Sequence, residues 1–260
     1  MDFKKYKRLF TFGCSFTSYR WPTWADILST EIPNVDYYNF GLCGGGNLMM
    51  AARVVEANLR YKFTEDDLIA IMWSTFCRED RYLRGRWMMT GNIFTGLHDY
   101  SEEFVRKYAD TKGYLIRDLA VINMTTNYLK TIPATSITMA SVPYNYQQDL
   151  EDSTIQPILD LHRDTINSTP PSLLELEMNG QWESGHHYYD PNCGADPDWG
   201  DYHPNPVRYY NYLKKIGLPM TEVSQKYAED SLVELRKIKT RAELDVNFPE
   251  IKPSKERLIL

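Results

Sequence analysis

Four short apolar runs, each closing on a small or rigid residue, set the narrowest condition on how this chain folds. They are Arg8 to Phe12 (RLFTF) before Gly13, Val35 to Phe40 (VDYYNF) before Gly41, Leu68 to Trp73 (LIAIMW) before Ser74, and Ser136 to Val142 (SITMASV) before Pro143. Short apolar runs of this kind are typical of strands buried on both faces, as in a parallel sheet. The stretches between them have apolar residues at helical spacing. Trp21 to Glu31 predicts one helix, and Asn47 to Tyr61 a second that opens with an Asn cap. Asp118 to Ile132 predicts a third, with Leu119, Ile122, Met124 and Leu129 as its inner face. Strand and helix in alternation imply an α/β fold, a three-layer sandwich around a central, mostly parallel sheet with right-handed crossovers. In such sheets a ligand sits beyond the carboxyl ends of the strands. The residues that directly follow the four runs are therefore the ones to search for chemistry.

Two regions interrupt the alternation. Cys77 to Gly113 is rich in Arg and aromatic residues, and Tyr144 to Gly200 carries Pro, Gly, Asp and aromatics through its second half. Long insertions at a binding edge usually serve as lids or specificity loops. The expected organisation is a domain over 1–220 with insertions at about 77–113 and 144–200, followed by a C-terminal helix and tail over 221–260. The helix runs from Thr221 to about Leu244 and the tail is broken by prolines. A net charge of −6 argues against a nucleic-acid partner bound through bulk electrostatics. No run of about 18 apolar residues exists, so no membrane span is expected. The apolar part of MDFKKYKRLFTFG is too short for a secretion signal, which points to the cytoplasm and is compatible with a phage-associated origin. Cys14, Cys43, Cys77 and Cys193 lack CxxC spacing, so reduced thiols are expected. The oligomeric state is left open.

Three pieces carry chemistry. The first run delivers Gly13-Cys14-Ser15-Phe16-Thr17, expected to lie directly before a helix whose N-terminus favours developing negative charge. The hydroxyl of Ser15 needs a base to become nucleophilic. Near the other end stands Asp201-Tyr202-His203-Pro204-Asn205-Pro206, a His just ahead of a helix over Val207 to Ile216 with a carboxylate two residues upstream. That carboxylate can orient the imidazole as a general base. The third piece, Asn39-Phe40-Gly41-Leu42-Cys43-Gly44-Gly45-Gly46-Asn47, lets the backbone turn N–H groups toward an oxyanion, with Gly44 the preferred donor. Neither nucleotide signature, GxGxxG or GxxxxGK[ST], is present.

Ser after the first strand, a glycine loop after the second and Asp-x-His-Pro near the end resemble the SGNH, or GDSL-type, hydrolase superfamily. Gly13-Cys14-Ser15 is similar to its Gly-Asp-Ser block, with Cys14 in place of Asp. Asn39 to Gly44 resembles its second block, and Asp201 with His203 its last. The resemblance spans about Lys7 to Gly217 and implies the flavodoxin-like SGNH fold with a Ser15-His203-Asp201 triad. Two positions depart from the pattern. The Asp usually stands three residues before the His, where Gly200 lies here; Asp198 is a weaker substitute for Asp201. The third block usually carries Gly-x-Asn-Asp, whose Asn completes the oxyanion hole. Here Trp73-Ser74-Thr75-Phe76-Cys77-Arg78 puts Phe76 at that place, so a third donor must come from Ser74, Thr75 or Arg78, or be absent.

The expected activity is hydrolysis of small acyl esters, acetyl above all, on a small molecule or a glycan, with no metal or cofactor. An O-acyltransferase on the same triad and an eroded binding module on the same fold are the alternatives. His186, His187, Asp190 and Cys193 lack metal-ligand spacing and read as a loop patch. Cys14 in place of Ser15 as nucleophile is the minor alternative within the first block.

Overall fold

In a computed structural model the chain is described over residues 1–88, 91–94, 100–144, 152–178, 203–238 and 243. The elements are β1 Arg8–Phe12, α1 Trp24–Ser29, β2 Asp36–Asn39, α2 Asn47–Tyr61, β3 Asp67–Trp73, β4 Arg81–Leu83, β5 Arg86–Met88, α3 Glu102–Tyr108, α4 Thr111–Leu129, β6 Thr135–Ala140, α5 Asp152–Leu161, α6 Arg163–Asn167, α7 Leu173–Glu177, α8 Pro206–Lys215 and α9 Glu222–Lys237. Four strands form one parallel sheet in the order β2-β1-β3-β6, while β4 and β5 make a separate antiparallel hairpin. Every residue of β3 is buried, as the apolar run from Leu68 to Trp73 requires of a central strand, with Asp67 at its start held by an ion pair. The helices pack in two groups, α2 with α4, and α1 and α7 to α9 around α8. Right-handed crossovers place these groups on opposite faces of the sheet, which gives the three-layer α/β architecture.

The two ends of the sheet are finished differently. At the amino ends of β1 and β3 the Arg8 guanidinium grips Asp67 with Nε–Oδ1 and Nη2–Oδ2 both at 2.6 Å. A two-pronged pair of this kind fixes strand register as well as adding charge-assisted bonds. The carboxyl ends, in contrast, carry loops rich in Ser, Gly and Asn, and these build the candidate site.

Several expectations need correcting. The first helix starts at Trp24 instead of Trp21, because Thr23 and Asp26 form a capping box there and Pro22 precedes the cap. Ser15 thus sits in a turn with nine residues' distance to the helix, and α1 offers it no helix N-terminus. The cap of α2 is Gly46; Asn47 is its first helical residue. The third helix, α4, begins at Thr111, capped by Asp110, within what reads from sequence as insertion. Its expected inner residue Met124 is 64% exposed, whereas Leu115, Leu119, Ile122 and Leu129 face the core. The two insertions hold regular structure, the β4–β5 hairpin and α3 in the first and α5 to α7 in the second. The expected helix from Thr221 is described as α9, which ends at Lys237 and packs on α8 and α1. No described helix is long and apolar enough to cross a membrane.

Candidate active site

The nucleophile candidate sits in a tight turn. Past β1 the chain reverses, with Thr17 N–H and Ser18 N–H both donating to the Cys14 carbonyl at 2.9 and 3.2 Å. Cys14 is fully buried while Ser15 keeps 7% exposure, so the turn hides the thiol more completely than the hydroxyl. Thr23 Oγ1 donates to the Thr17 carbonyl and Trp24 Nε1 donates to Thr17 Oγ1, tying the turn to α1. His203, 188 residues away in sequence, meets this turn: its Nε2 lies 2.7 Å from Ser15 Oγ. It is held just ahead of α8, whose cap Asn205 accepts from Arg208 N–H and whose first residue is Pro206. Asp201 and Asp198 lie outside the described residues, as do His186, His187, Asp190 and Cys193.

The imidazole is walled by aromatic rings from the serine's own loop. Tyr19 stacks on it at 3.7 Å between centroids and 18° between planes, Phe16 lies at 5.1 Å, and Trp21 meets it edge-on at 6.2 Å. Sequence reasoning misses Tyr19 and Trp21. In a loop with no motif, an aromatic residue that packs on a catalytic ring looks no different from one that fills a core.

The glycine loop is braced on every side. Leu42 N–H donates to the Gly13 carbonyl at 3.0 Å, and Asn39 Nδ2 donates to the Thr17 carbonyl at 2.8 Å, joining the loop to the Ser15 turn. Gly44 turns through φ 76°, a conformation that suits glycine, and its carbonyl accepts from Gly91 N–H in the first insertion. Arg78 is 9% exposed; its Nη1 donates to the Gly45 carbonyl at 2.8 Å and its Nε to Thr75 Oγ1 at 3.1 Å. The Asp80 carboxylate accepts from Gly46 N–H at 2.8 Å and Met49 N–H at 3.0 Å, so it caps α2 from outside the helix. A Cβ on Gly46 would fall 2.5 Å from Asp80 Oδ2, which is why that close approach requires glycine. Burial pushes the Asp80 carboxyl up from its ordinary range, with these two N–H bonds and the Arg78 and Arg117 charges pulling it back.

Ser74 follows β3. It stands just past the carboxyl end of the strand that pairs with β1, whose own last paired residue, Phe12, lies opposite Ile71. Its main chain is clamped by the Asn47 side chain, which accepts from Ser74 N–H at 2.8 Å and donates to its carbonyl at 3.2 Å. Asn47 Nδ2 also donates to Asp118, whose carboxyl burial raises to about 6. The Ser74 hydroxyl itself is buried and has no hydrogen-bond partner among the described residues. Phe76 is packed in the core, 6.2 Å from the Tyr144 ring, and carries no donor. The structure therefore brings Ser15 and His203 into contact. It gathers Gly44, Ser74 and Arg78 around the same strand ends through bracing bonds, without a bond from any of them to Ser15.

No family model matches the sequence, and no curated protein matches it either. In structure the chain is similar to solved GDSL-type lipolytic proteins. A member of the lipolytic G-D-S-L family from Veillonella parvula is 14% identical with a TM-score of 0.43, covering 80% of this chain and 94% of that one. A GDSL-like lipase from Bacteroides thetaiotaomicron is 14% identical with a TM-score of 0.37, covering 88% and 89%. A catalytic mutant of an acetylxylan esterase from Geobacillus stearothermophilus is 12% identical with a TM-score of 0.43, covering 85% and 99%. These are likenesses of fold. A cavity of about 480 Å³ opens at the carboxyl end of β6, lined by Tyr144, Arg163, Thr169 and Glu175 among others; neither Ser15 nor His203 lines it.

Proposed function

We propose that this chain is a serine esterase that hydrolyses small acyl esters, with acetyl esters of carbohydrates as the class to test first. The observation that carries the reading is the 2.7 Å contact of His203 Nε2 with Ser15 Oγ at the carboxyl ends of a parallel sheet. With its proton on Nδ1, the imidazole accepts the Ser15 proton through Nε2 as Oγ bonds to the ester carbonyl carbon. The carbonyl electrons move to oxygen. The N–H groups of Ser15 and Gly44 are the main-chain donors we assign to that oxyanion, and the partnerless Ser74 hydroxyl is the third. Arg78, already committed to Gly45 and Thr75, serves to hold the loop. His203 then gives its proton to the leaving alcohol oxygen as the C–O bond breaks. Water repeats the sequence on the acyl-enzyme, releasing the acid and restoring Ser15. Asp201 is assigned to the Nδ1 side of the imidazole from its place in the motif. The acetyl and carbohydrate parts of the reading rest on the motif resemblance.

Hydrolysis of p-nitrophenyl acetate, propionate and butyrate by wild type, Ser15→Ala and His203→Ala tests this. The expected result is a rate that falls with acyl length and drops roughly 10⁴-fold or more in both variants, with their folding intact. Equal turnover by all three proteins would remove the catalytic assignment.

A further inference from the structure

None of the motifs that point to Ser15 and His203 lies beyond Gly217, yet the last described helix reaches the site. Trp21 is fully buried, and it belongs to a small cluster apart from the main core, seated on Leu235 and Ile238 with Leu232 alongside. From that seat its Nε1 donates to the carbonyl of Pro204, the residue after His203, at 2.9 Å. Tyr19 packs edge-on against Trp21 at 4.6 Å and 85°, and lies flat on the imidazole. At its other end α9 is fixed to the turn that follows α1, where Thr221 N–H and Oγ1 both donate to Glu31 Oε1 at 2.7 and 3.1 Å. A helix held at one end by Glu31 and at the other by Trp21 forms the outer wall of the histidine's cradle.

We infer that α9 is part of the apparatus that holds His203, and that Trp21 is the positioning residue through which it acts. The inference rests on the reading of Ser15 and His203 as an acyl-transfer pair. Trp21 fixes the main chain next to the imidazole, and through Tyr19 it fixes the plane of the ring. Small misplacements of a catalytic group cost rate far more than they cost binding, so the effect belongs in kcat.

The test uses the full chain with its five histidines isotopically labelled for NMR, and His203→Ala to assign the His203 signal. Trp21→Phe keeps an aromatic ring, smaller than the indole, and removes the donor; Leu235→Val loosens the seat from the α9 side. Both are expected to shift or broaden the His203 signal while leaving that of His162 in place. Both are also expected to lower kcat on p-nitrophenyl acetate by about 10- to 10²-fold with KM unchanged. If Trp21→Phe does not fold, Leu235→Val carries both readouts. An unmoved His203 signal in the folded variants, or a change in KM alone, would overturn the inference. Absence of Ser15-dependent turnover would instead sink the esterase reading, and the His203 signal would still decide the role of Trp21.

Discussion

The hydroxyl of Ser74 is buried just past the carboxyl end of β3 without a partner among the described residues, and a group in that state costs a fold about 1–3 kcal/mol. Such a cost persists where the group has work to do on a ligand. Ser74→Ala is therefore expected to move two quantities in opposite directions. Removing the orphaned hydroxyl raises unfolding free energy by about 1 kcal/mol, and losing an oxyanion donor lowers kcat by about 10²-fold. Denaturant melts and steady-state kinetics on one preparation check this; a variant that loses stability and keeps its rate contradicts the assignment. At this scale the sequence is informative where chemistry fixes residue type and order. Ser15, His203 and Asp201 stand out as the nucleophile, base and carboxylate of a triad, and Gly44 as a glycine-loop donor, because these residue types follow the order of the family motif they resemble. Ser74 emerges only as one of several substitutes for the Asn that Phe76 replaces. Tyr19, Trp21 and the Asn47 clamp do not emerge, because ring stacking and amide pairing to a remote main chain leave no local pattern.

Among the elements, α2 shows how far a cap can come from. Its cap residue Gly46 has no side chain to satisfy the first N–H groups, and Asp80 reaches in from the loop after β3 to do so. Asp80→Ala leaves two buried donors unpaired and is expected to cost about 2 kcal/mol or more, read as a lowered melting temperature. A melting temperature equal to that of wild type would show that the loop, and not the carboxylate, holds α2. The four strands of the parallel sheet were readable to within two residues from their apolar runs, most clearly the buried β3, whereas the β4–β5 hairpin, exposed or half-buried throughout, was not read as strand at all. Helix starts were less so. The Pro22-Thr23 start of α1 competes with Trp21, whose apolar side chain belongs to the α9 contact and mimics a first helical turn. The first turn of α4 contains Gly113, a poor helix former that the Asp110 cap offsets. In α3 no residue is fully buried, so its apolar signal is faint.

Taken as a whole, the described interior holds three carboxyls whose ionisation burial opposes, Asp26, Asp80 and Asp118, and the first and last are shifted far enough to set a pH dependence. Burial raises Asp26, which accepts from Thr23 and Tyr37, and Asp118 to about 6, against an unfolded value near 4. Between those values the folded chain keeps protons that the unfolded chain releases. The stability these groups contribute is thus complete below about pH 4 and is lost as pH rises through 6, by up to about 3 kcal/mol each. Asp118→Asn is expected to lose less unfolding free energy than wild type between pH 4.5 and 6.5 in urea titrations; identical pH slopes would contradict this. The architecture was legible from the alternation of strands and helices, while the contribution of α9 to the site was not, because it arises from packing between segments some 200 residues apart. The central claim, that Ser15 is a nucleophile activated by His203, is tested most directly by covalent labelling. An alkyl fluorophosphonate transfers its phosphonyl group to an activated serine oxygen with loss of fluoride. Intact-mass and peptide analysis should show one label per chain, on Ser15, with labelling slowed by orders of magnitude in His203→Ala. No label, or a label on another residue at the same rate in both proteins, would contradict the account.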